Sequence, residues 1–359
     1  MTTSGVAMIA RAWRTPLGST IDAAMARLYA GEHAAITDPR AGYACTVIAP
    51  IREQPAPSRQ SRFLRRMGLF GLEVAAEALA ASGVGSGPRV GLFSGVGGLR
   101  VHWDDMLLPF AGQRDDGARM WELGLKNVHP YWMLRHLSNN VHALASVALD
   151  LRGEGATFGG SNGGAQAIAS AARALHDGAI DAALVVAYDS LLEPETLVEL
   201  AAHGSLTTAP LAALVPPYHP AATGSVPGEA AAAVVLVRER EHSPRIAARD
   251  AAGPEALARC IAFGRDVGLV DGAAPGWPEQ DRAERALLGE VSMTAISAAM
   301  GKLGAATAVV QAIALGEMLR TGTVAPITGR ALATTSRRAL GLSVSAPQLA
   351  SAIVVEVPA

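Results

Sequence analysis

The sequence has little of what marks disulfide-rich, nucleic-acid-binding or membrane proteins. Two cysteines, Cys45 and Cys260, exclude a disulfide scaffold and a thiolate-rich metal site. Only 17% of the residues are charged, and 30 basic residues against 32 acidic ones give a formal charge of −2, so no basic surface for nucleic acid is predicted. Apolar runs such as 230–237 are far shorter than the roughly 20 residues that a membrane span needs.

The N-terminal residues have no basic segment followed by an apolar core, so no signal peptide is predicted. The 359 residues are enough for one large core or for two fused domains. Together with the absence of membrane spans, these features predict a soluble, cytoplasmic protein with no nucleic-acid or membrane partner.

Helical and strand patterns alternate along the chain, which indicates an α/β fold. Apolar runs over 182–187 and 230–237 predict strands that are buried on both faces. Small-residue helices are predicted over 163–176 and 303–319. We expect two halves, residues 1–240 and 241–359, with the boundary in a charged stretch of the chain.

The segment 157–168 is the most informative, because a strand enters a glycine-dense turn with Ser161 at its apex and leaves as a helix. Gly159-x-Ser161-x-Gly163 satisfies the G-x-S-x-G pattern of a hydrolase nucleophile elbow. A serine nucleophile needs a base, and none of the nine histidines lies beyond His242. An α/β-hydrolase normally carries its base in that region, so the hydrolase interpretation is disfavoured.

Several motifs together resemble one family over nearly the full length. They are Thr15-Pro16-Leu17-Gly18, the strand and turn at 89–95, the segment 177–184, Gly228-Glu229-Ala230-Ala231, the segment 271–284 with Gly276, Pro278, Asp281 and Glu284, and Met300-Gly301-Lys302. The chain resembles a β-ketoacyl synthase. The resemblance implies an α/β, thiolase-like five-layered αβαβα fold with two pseudo-repeated halves.

The catalytic residues of that family are missing. The resemblance aligns Ser161 with the nucleophilic cysteine, and Ala273 and Lys302 with the two histidines. The family's supporting lysine falls on Ser297. Decarboxylative condensation needs a thiolate to hold the acyl chain and imidazoles to stabilise the enolate. We therefore expect no catalytic residue for condensation in this chain.

Residues 159–167 resemble the corresponding stretch of chain-length factors, the catalytically silent partners of ketosynthases, although Ser161 stands where these carry glutamine. This resemblance implies a subunit of a type II polyketide (aromatic or polyene) system that pairs with an active ketosynthase. The interface would form around the strand before Ser161, and the acyl carrier protein would act through the complex. No cofactor and no metal are implied. Candidate tunnel residues are Tyr131, Trp132, Met133, Asn162 and Gly163.

An alternative function keeps the same fold but uses Ser161 as a nucleophile. Lys302 would then act as base in an acyltransferase or hydrolase, which requires a lysine pKa lowered by burial. The competing interpretation is that Lys302 binds an acidic neighbour or a backbone carbonyl and fills the vacated space. His129, His136 and His142 fall near helical spacing, but without a matching carboxylate they do not predict a metal site.

Overall fold

Strands and helices alternate throughout the computed structural model, which describes residues 5–38, 47–97, 124, 126–346 and 348–358. The strands are β1 (Val6–Arg14), β2 (Ile36–Thr37), β3 (Val47–Ile48), β4 (Val90–Val96), β5 (Gly155–Gly159), β6 (Ala182–Ser190), β7 (Glu229–Val237), β8 (Arg245–Ala252), β9 (Leu269–Asp271), β10 (Ser292–Thr294), β11 (Thr323–Val324), β12 (Leu332–Ala333), β13 (Arg338–Ala346) and β14 (Leu349–Glu356).

The helices that the structure describes are α1 (Ile21–Tyr29), α2 (Arg66–Ser82), α3 (Trp132–His136), α4 (Asn140–Ala148), α5 (Gly163–His176), α6 (Pro194–Ala202), α7 (Ala256–Phe263), α8 (Pro278–Leu288), α9 (Ile296–Met300) and α10 (Thr307–Thr321). Local sequence explains several ends. Helix α2 stops at Gly83, which adopts the left-handed conformation, and α8 begins at Pro278 with acidic residues in its first turn.

The helix predicted over 163–176 is confirmed with those bounds, whereas the one predicted over 303–319 is divided. A 3-10 turn (Gly304–Ala306) precedes α10, because Gly304 has a positive φ of 52°. The carboxylate of Asp189 accepts a hydrogen bond of 2.9 Å from the Ala305 N–H, which fixes this turn to the end of β6. Tertiary contact therefore decides where the regular helix begins.

The main sheet contains the same five-stranded arrangement twice. In the first half the order is β5-β4-β6-β7-β1, and in the second it is β10-β9-β13-β14-β8. In the first half, β7 pairs antiparallel with both β1 and β6, and β4 pairs parallel with both β6 and β5. In the second half, β14 pairs antiparallel with both β8 and β13, and β9 pairs parallel with both β13 and β10. A short antiparallel contact between β1 and β8 joins the two sheets. The expected pseudo-repeat is thus confirmed by the topology.

Helices cover both faces of the two sheets. Helix α2 packs outside on β1, β6 and β7, and α7 packs outside on β8, β13 and β14. Between the sheets, α5 contacts β4, β6 and β8, while α10 contacts β7, β13 and β14. The order of layers is therefore helix, sheet, helices, sheet, helix, and the predicted thiolase-like five-layered fold is confirmed.

The central layer explains the alanine-rich composition. Helix α10 is buried on every side from Ala308 to Leu319, as expected for a helix between two sheets. Small residues let α5 and α10 approach the strands closely, and together they form the largest hydrophobic core. The predicted boundary between 240 and 241 falls in the loop from β7 to β8, and its exact position stays a prediction.

None of the described helices is both long enough and apolar enough to cross a membrane. Cys260 is buried in α7, where burial raises its thiol pKa to about 11, so this sulfur is protonated at neutral pH. Cys45 lies outside the described residues.

Candidate functional site

Ser161 lies in a tight turn between β5 and α5. Gly160 adopts a positive φ of 91°, and its N–H donates to the Val96 carbonyl at 2.9 Å. A Cβ on Gly163 would lie 2.7 Å from the Phe158 carbonyl, so only glycine fits the first residue of the helix. The side chain of Ser161 is half-buried, and its hydroxyl has no hydrogen-bond partner in the described part of the chain.

Asn162 connects this turn to the second half of the molecule. It is buried, and its Nδ2 donates to the Ala350 carbonyl of β14 at 3.2 Å. Its Oδ1 is buried and has no hydrogen-bond partner among the described residues. Gly164, the next residue but one, packs so tightly against the Ala305 carbonyl that a Cβ there would overlap it. These contacts fix the Ser161 turn against β14 and against the 3-10 turn before α10.

Ala273 lies in the loop after β9, and the carboxylate of Glu284 holds one side of this loop. Glu284 of α8 accepts hydrogen bonds from the Ala273 N–H at 2.6 Å and the Ala274 N–H at 3.2 Å. The Tyr218 hydroxyl donates to the same carboxylate at 2.9 Å. Ala274 adopts a positive φ of 45°, which is unfavourable for alanine. The bonds to Glu284 therefore hold a strained backbone in place.

Asp281, one helical turn before Glu284, holds the other side of this loop. Its carboxylate accepts from the Tyr218 N–H at 2.8 Å and from the Gly276 N–H at 3.1 Å. Burial is the main cause that raises the pKa of Asp281 and of Glu284 above their ordinary values, while the hydrogen bonds act in the opposite direction. Two carboxylates on one face of α8 thus shape the loop that contains Ala273.

Lys302 contacts Ala273 directly, because its Nζ donates to the Ala273 carbonyl oxygen. Its backbone is fixed as well: the N–H donates to the Val226 carbonyl, and the carbonyl accepts from the Gly228 N–H, both at 2.8 Å. Burial lowers the pKa of Lys302 to about 8, although nearby carboxylates, above all that of Glu284, act to raise it.

Asp271, at the end of β9, is the third buried carboxylate near Ala273 and Lys302. Its carboxylate accepts from the Ile296 N–H at 2.7 Å and from Gln311 Nε2 at 2.8 Å. Burial raises the pKa of Asp271 to about 7, against the effect of these hydrogen bonds and of Lys302. In the part of the chain that the structure describes, the buried Oγ of Ser297 has no hydrogen-bond partner. A cavity of about 20 Å³, room for one water molecule, lies among Asp271, Ala273, Ser297 and Lys302.

The structure therefore brings Ala273, Lys302 and Ser297 together and leaves Ser161 outside their cavity. No hydrogen bond joins Ser161 to Lys302 within the described ranges. None of the histidines that the structure describes is hydrogen-bonded to the Ser161 hydroxyl, and His142 pairs instead with Ser94 at 3.0 Å. Among the described residues, the cluster around Ala273 supplies buried carboxylates and one amine, but neither a thiolate nor an imidazole.

The aromatic segment before α4 is largely exposed. Tyr131 and Met133 expose 42% and 63% of their surface, and the Tyr131 ring meets Phe63 edge-on at 5.5 Å. Trp132 is half-buried against His136, with ring centroids 4.6 Å apart. A cavity of about 60 Å³ is lined by residues 135–137 of this segment, but not by Tyr131, Trp132 or Met133. Their role as tunnel residues, like that of Asn162 and Gly163, stays a prediction.

Sequence reasoning recognised Asp281 and Glu284 only as matched positions, and it missed Asp271, Tyr218 and Gln311 entirely. The spacing of Asp281 and Glu284 places both on one face of a helix, which was a usable signal. Nothing in the sequence indicates that Tyr218, over sixty residues earlier, reaches the same carboxylate, because that contact depends on tertiary packing.

Comparisons with solved structures show the same fold. A β-ketoacyl synthase from Burkholderia phymatum STM815 has a TM-score of 0.83 at 18% identity, covering 99% of this chain and 100% of that one. The ishigamide ketosynthase/chain length factor gives 0.81 at 14%, with 99% and 100% coverage. The ketosynthase ApeO in complex with its chain length factor ApeC from Xenorhabdus doucetiae gives 0.79 at 16%, with 99% and 98% coverage.

A search of curated protein sequences gives no match. The sequence profile described as "Beta-ketoacyl synthase, N-terminal domain" matches residues 3–242, which is well over half of the chain. That match spans the whole first half, including the Ser161 turn. The chain therefore belongs to the β-ketoacyl synthase family.

Proposed function

We propose that this protein is a non-catalytic, chain-length-factor-like subunit that pairs with an active ketosynthase in type II polyketide biosynthesis. The observation that carries the proposal is the chemistry at Ala273 and Lys302. An alanine cannot donate a side-chain hydrogen bond to an enolate, and the ammonium of Lys302 is directed at a backbone carbonyl. With Ser161 in place of a thiol, the chain keeps the shape of the synthase and lacks its reactive groups.

The edge of the main sheet supports a partner subunit. Strand β5 is the terminal strand and pairs only with β4 in the described structure, so its outer edge is unpaired. Unpaired strand edges favour pairing with another chain. The strand leads directly into the Ser161 turn, where the interface was expected. We propose that the half formed by residues 1–240 provides most of this interface.

Exposed apolar residues are concentrated in the segment of the chain just before β5. Five of the nine large hydrophobic residues that are exposed in the described structure fall within 131–147: Tyr131, Met133, Leu134, Leu137 and Val147. A partner subunit would remove this surface from water, which favours association by the hydrophobic effect. Tyr131, Trp132 and Met133 would then face a tunnel at the interface.

Two of the similar structures are described as pairs of a ketosynthase and a chain length factor, and a third as a ketosynthase with its acyl-carrier protein. These descriptions support a ketosynthase as partner and an acyl carrier protein that acts through the complex. In such a pair, the length of the tunnel limits how far the acyl chain can grow.

The test is co-expression with a ketosynthase that retains its cysteine and both histidines. We expect a stable heterodimer by size-exclusion chromatography with light scattering, and a change of product length when Met133 is enlarged to tryptophan. The double variant Met133→Glu and Leu134→Glu should prevent association. Leu287→Glu is a matched control, because Leu287 is 52% exposed on α8 in the other half.

Two results would contradict the proposal. One is a homodimer or monomer that associates with no candidate ketosynthase. The other is condensing activity of the isolated protein that Ser161→Ala abolishes.

The alternative, a Ser161 acyltransferase or hydrolase with Lys302 as base, draws support from the lowered pKa of Lys302. The contact of its Nζ with the Ala273 carbonyl counts against it. Incubation with acyl-carrier-protein thioesters, followed by mass spectrometry, separates the two functions. An adduct on Ser161 that disappears in Ser161→Ala would establish the alternative.

A further inference from the structure

A groove of about 540 Å³ opens on the second half of the molecule, on the outer side of Tyr218. The loop 216–220, helix α8 and the loop 326–332 form its walls. Its apolar lining consists of four prolines (216, 217, 220 and 326) together with Met293, Ile327 and Leu332. Leu332 is 63% exposed, so this apolar surface is open to solvent. Of the described residues that line the groove, Tyr218 alone also belongs to the site described above.

Two arginines, Arg285 and Arg330, line the groove, and none of the described residues that line it is an aspartate or glutamate. The guanidinium carbon of Arg285 lies 4.8 Å from the centroid of the Tyr218 ring, which orients this cation over an aromatic face. In the described chain, neither arginine has a carboxylate oxygen within 4.0 Å. Both cations are therefore available to an external anion.

Asp281 and Glu284 of α8 form no ion pair with these arginines, although the charges of Arg285 and Asp281 interact at longer range. Asp281 and Glu284 direct their carboxylates inward, at the backbone N–H groups of Tyr218, Gly276, Ala273 and Ala274. Tyr218 separates the two environments: its hydroxyl binds Glu284 on the inside, while its ring supports Arg285 on the outside. The groove thus combines an apolar wall with unpaired positive charge.

We propose that this groove binds a small amphipathic carboxylate, with its carboxylate between Arg285 and Arg330 and its hydrocarbon chain along the prolines and Leu332. The volume lies in the range of small-molecule sites, about 300–1,000 Å³. A guanidinium binds a carboxylate in a planar, two-bonded geometry, and the apolar wall removes the hydrocarbon from water. A neutral lipid would leave both arginines without a counter-ion, so it fits less well.

The test is isothermal titration calorimetry of the isolated protein with decanoate, below the concentration at which decanoate forms micelles. We expect one site per chain. The double variant Arg285→Gln and Arg330→Gln should bind at least about tenfold more weakly, because both charge-assisted hydrogen bonds are lost. Arg282→Gln is the matched control: Arg282 is exposed on the same helix but does not line the groove, so this variant should bind as the unaltered protein does.

A second variant, Leu332→Glu, tests the apolar wall. Leu332 is mostly exposed, so the fold should tolerate the change, and circular dichroism checks this. Decanoate should bind this variant more weakly. Decanol should bind the unaltered protein more weakly than decanoate does, because it cannot pair with the arginines.

Four outcomes would overturn the proposal. These are no heat of binding with decanoate, equal affinity of the double variant, equal affinity for decanol, and self-association in the ultracentrifuge that the double variant abolishes. The last outcome would identify a second copy of the chain as the occupant. Decanoate binding requires no ketosynthase partner, so its failure is distinguishable from failure of the proposed subunit function.

Discussion

The two halves of the molecule share one strand order, yet they hold their functional loops by different forces. In the first half, close backbone packing at Gly163 and Gly164 fixes the Ser161 turn. In the second half, the carboxylates of Glu284, Asp281 and Asp271 hold the loop at Ala273. Because backbone packing holds the Ser161 turn, that turn keeps its shape whichever side chain stands at 161. The buried carboxylates around Ala273 need a counter-ion, and Lys302 supplies it.

This difference explains why Ser161 and Lys302 have such different surroundings, although the resemblance aligns both with catalytic positions. The Ser161 hydroxyl has no hydrogen-bond partner in the described chain, so it contributes little to the stability of the fold. Lys302 instead lies among three carboxylates and donates to the Ala273 carbonyl. We therefore expect the second half to respond to changes of charge and the first half to changes of volume.

The largest effect is expected for Lys302→Met. The buried carboxylates then lose their cation, and we expect the free energy of unfolding at pH 7, where Lys302 is mostly protonated, to fall by about 3 kcal/mol. At pH 5 the loss should be smaller, because the carboxyl groups with raised pKa can take up protons instead. Urea unfolding at the two pH values measures both quantities.

A double-mutant cycle with Glu284→Gln checks that charge is the cause. The double variant should be less destabilised than the sum of the single variants, since the uncompensated carboxylate is gone. Additive losses would show that Lys302 stabilises the fold by packing alone.

Gly164→Ala should cost about 2–3 kcal/mol, because the added Cβ overlaps the Ala305 carbonyl and separates α5 from the neighbouring turn. Gly159→Ala is the control in the same turn region, since a Cβ there meets no atom within 4 Å. Urea unfolding compares the two variants. Equal stability of both would mean that the first half is not held by close backbone packing.

Asp271→Asn should change how stability depends on pH. The folded protein keeps the Asp271 proton up to about pH 7, whereas the unfolded chain loses it near the ordinary pKa of 3.8. Between these values the folded state binds more protons, so this group lowers stability as the pH rises. Asparagine removes that contribution, and relative to the unaltered protein the variant should gain on the order of 2 kcal/mol between pH 5 and pH 7. Parallel pH profiles of the two proteins would refute the assigned pKa.

The smallest effect is expected for Ser161→Ala. The hydroxyl makes no hydrogen bond in the described structure, so the free energy of unfolding should change by no more than about 0.5 kcal/mol. Thermal or urea unfolding measures it. A larger loss would show that this hydroxyl makes a stabilising contact, so that polar side-chain contacts would hold the functional loops of both halves.

Much of the fold could be predicted from the sequence where the signal is local. The buried strands β6 and β7 and the helix α5 follow from apolar runs and small residues at regular spacing. Strands β1, β8 and β13 carry weaker patterns, since charged or small residues interrupt them, and they escaped prediction. Their pairing partners are distant in sequence, so only the assembled sheet defines them.

The candidate site divides in the same way. The sequence by itself determined the chemical inventory: a serine at 161, an alanine at 273, a lysine at 302 and no histidine beyond 242, because side-chain identity needs no folding. Only the tertiary structure decided that Lys302 donates to the Ala273 carbonyl, and that the Tyr218 hydroxyl donates to Glu284. The reason is that burial and hydrogen bonding between distant segments arise from packing the two sheets together, which no local pattern encodes.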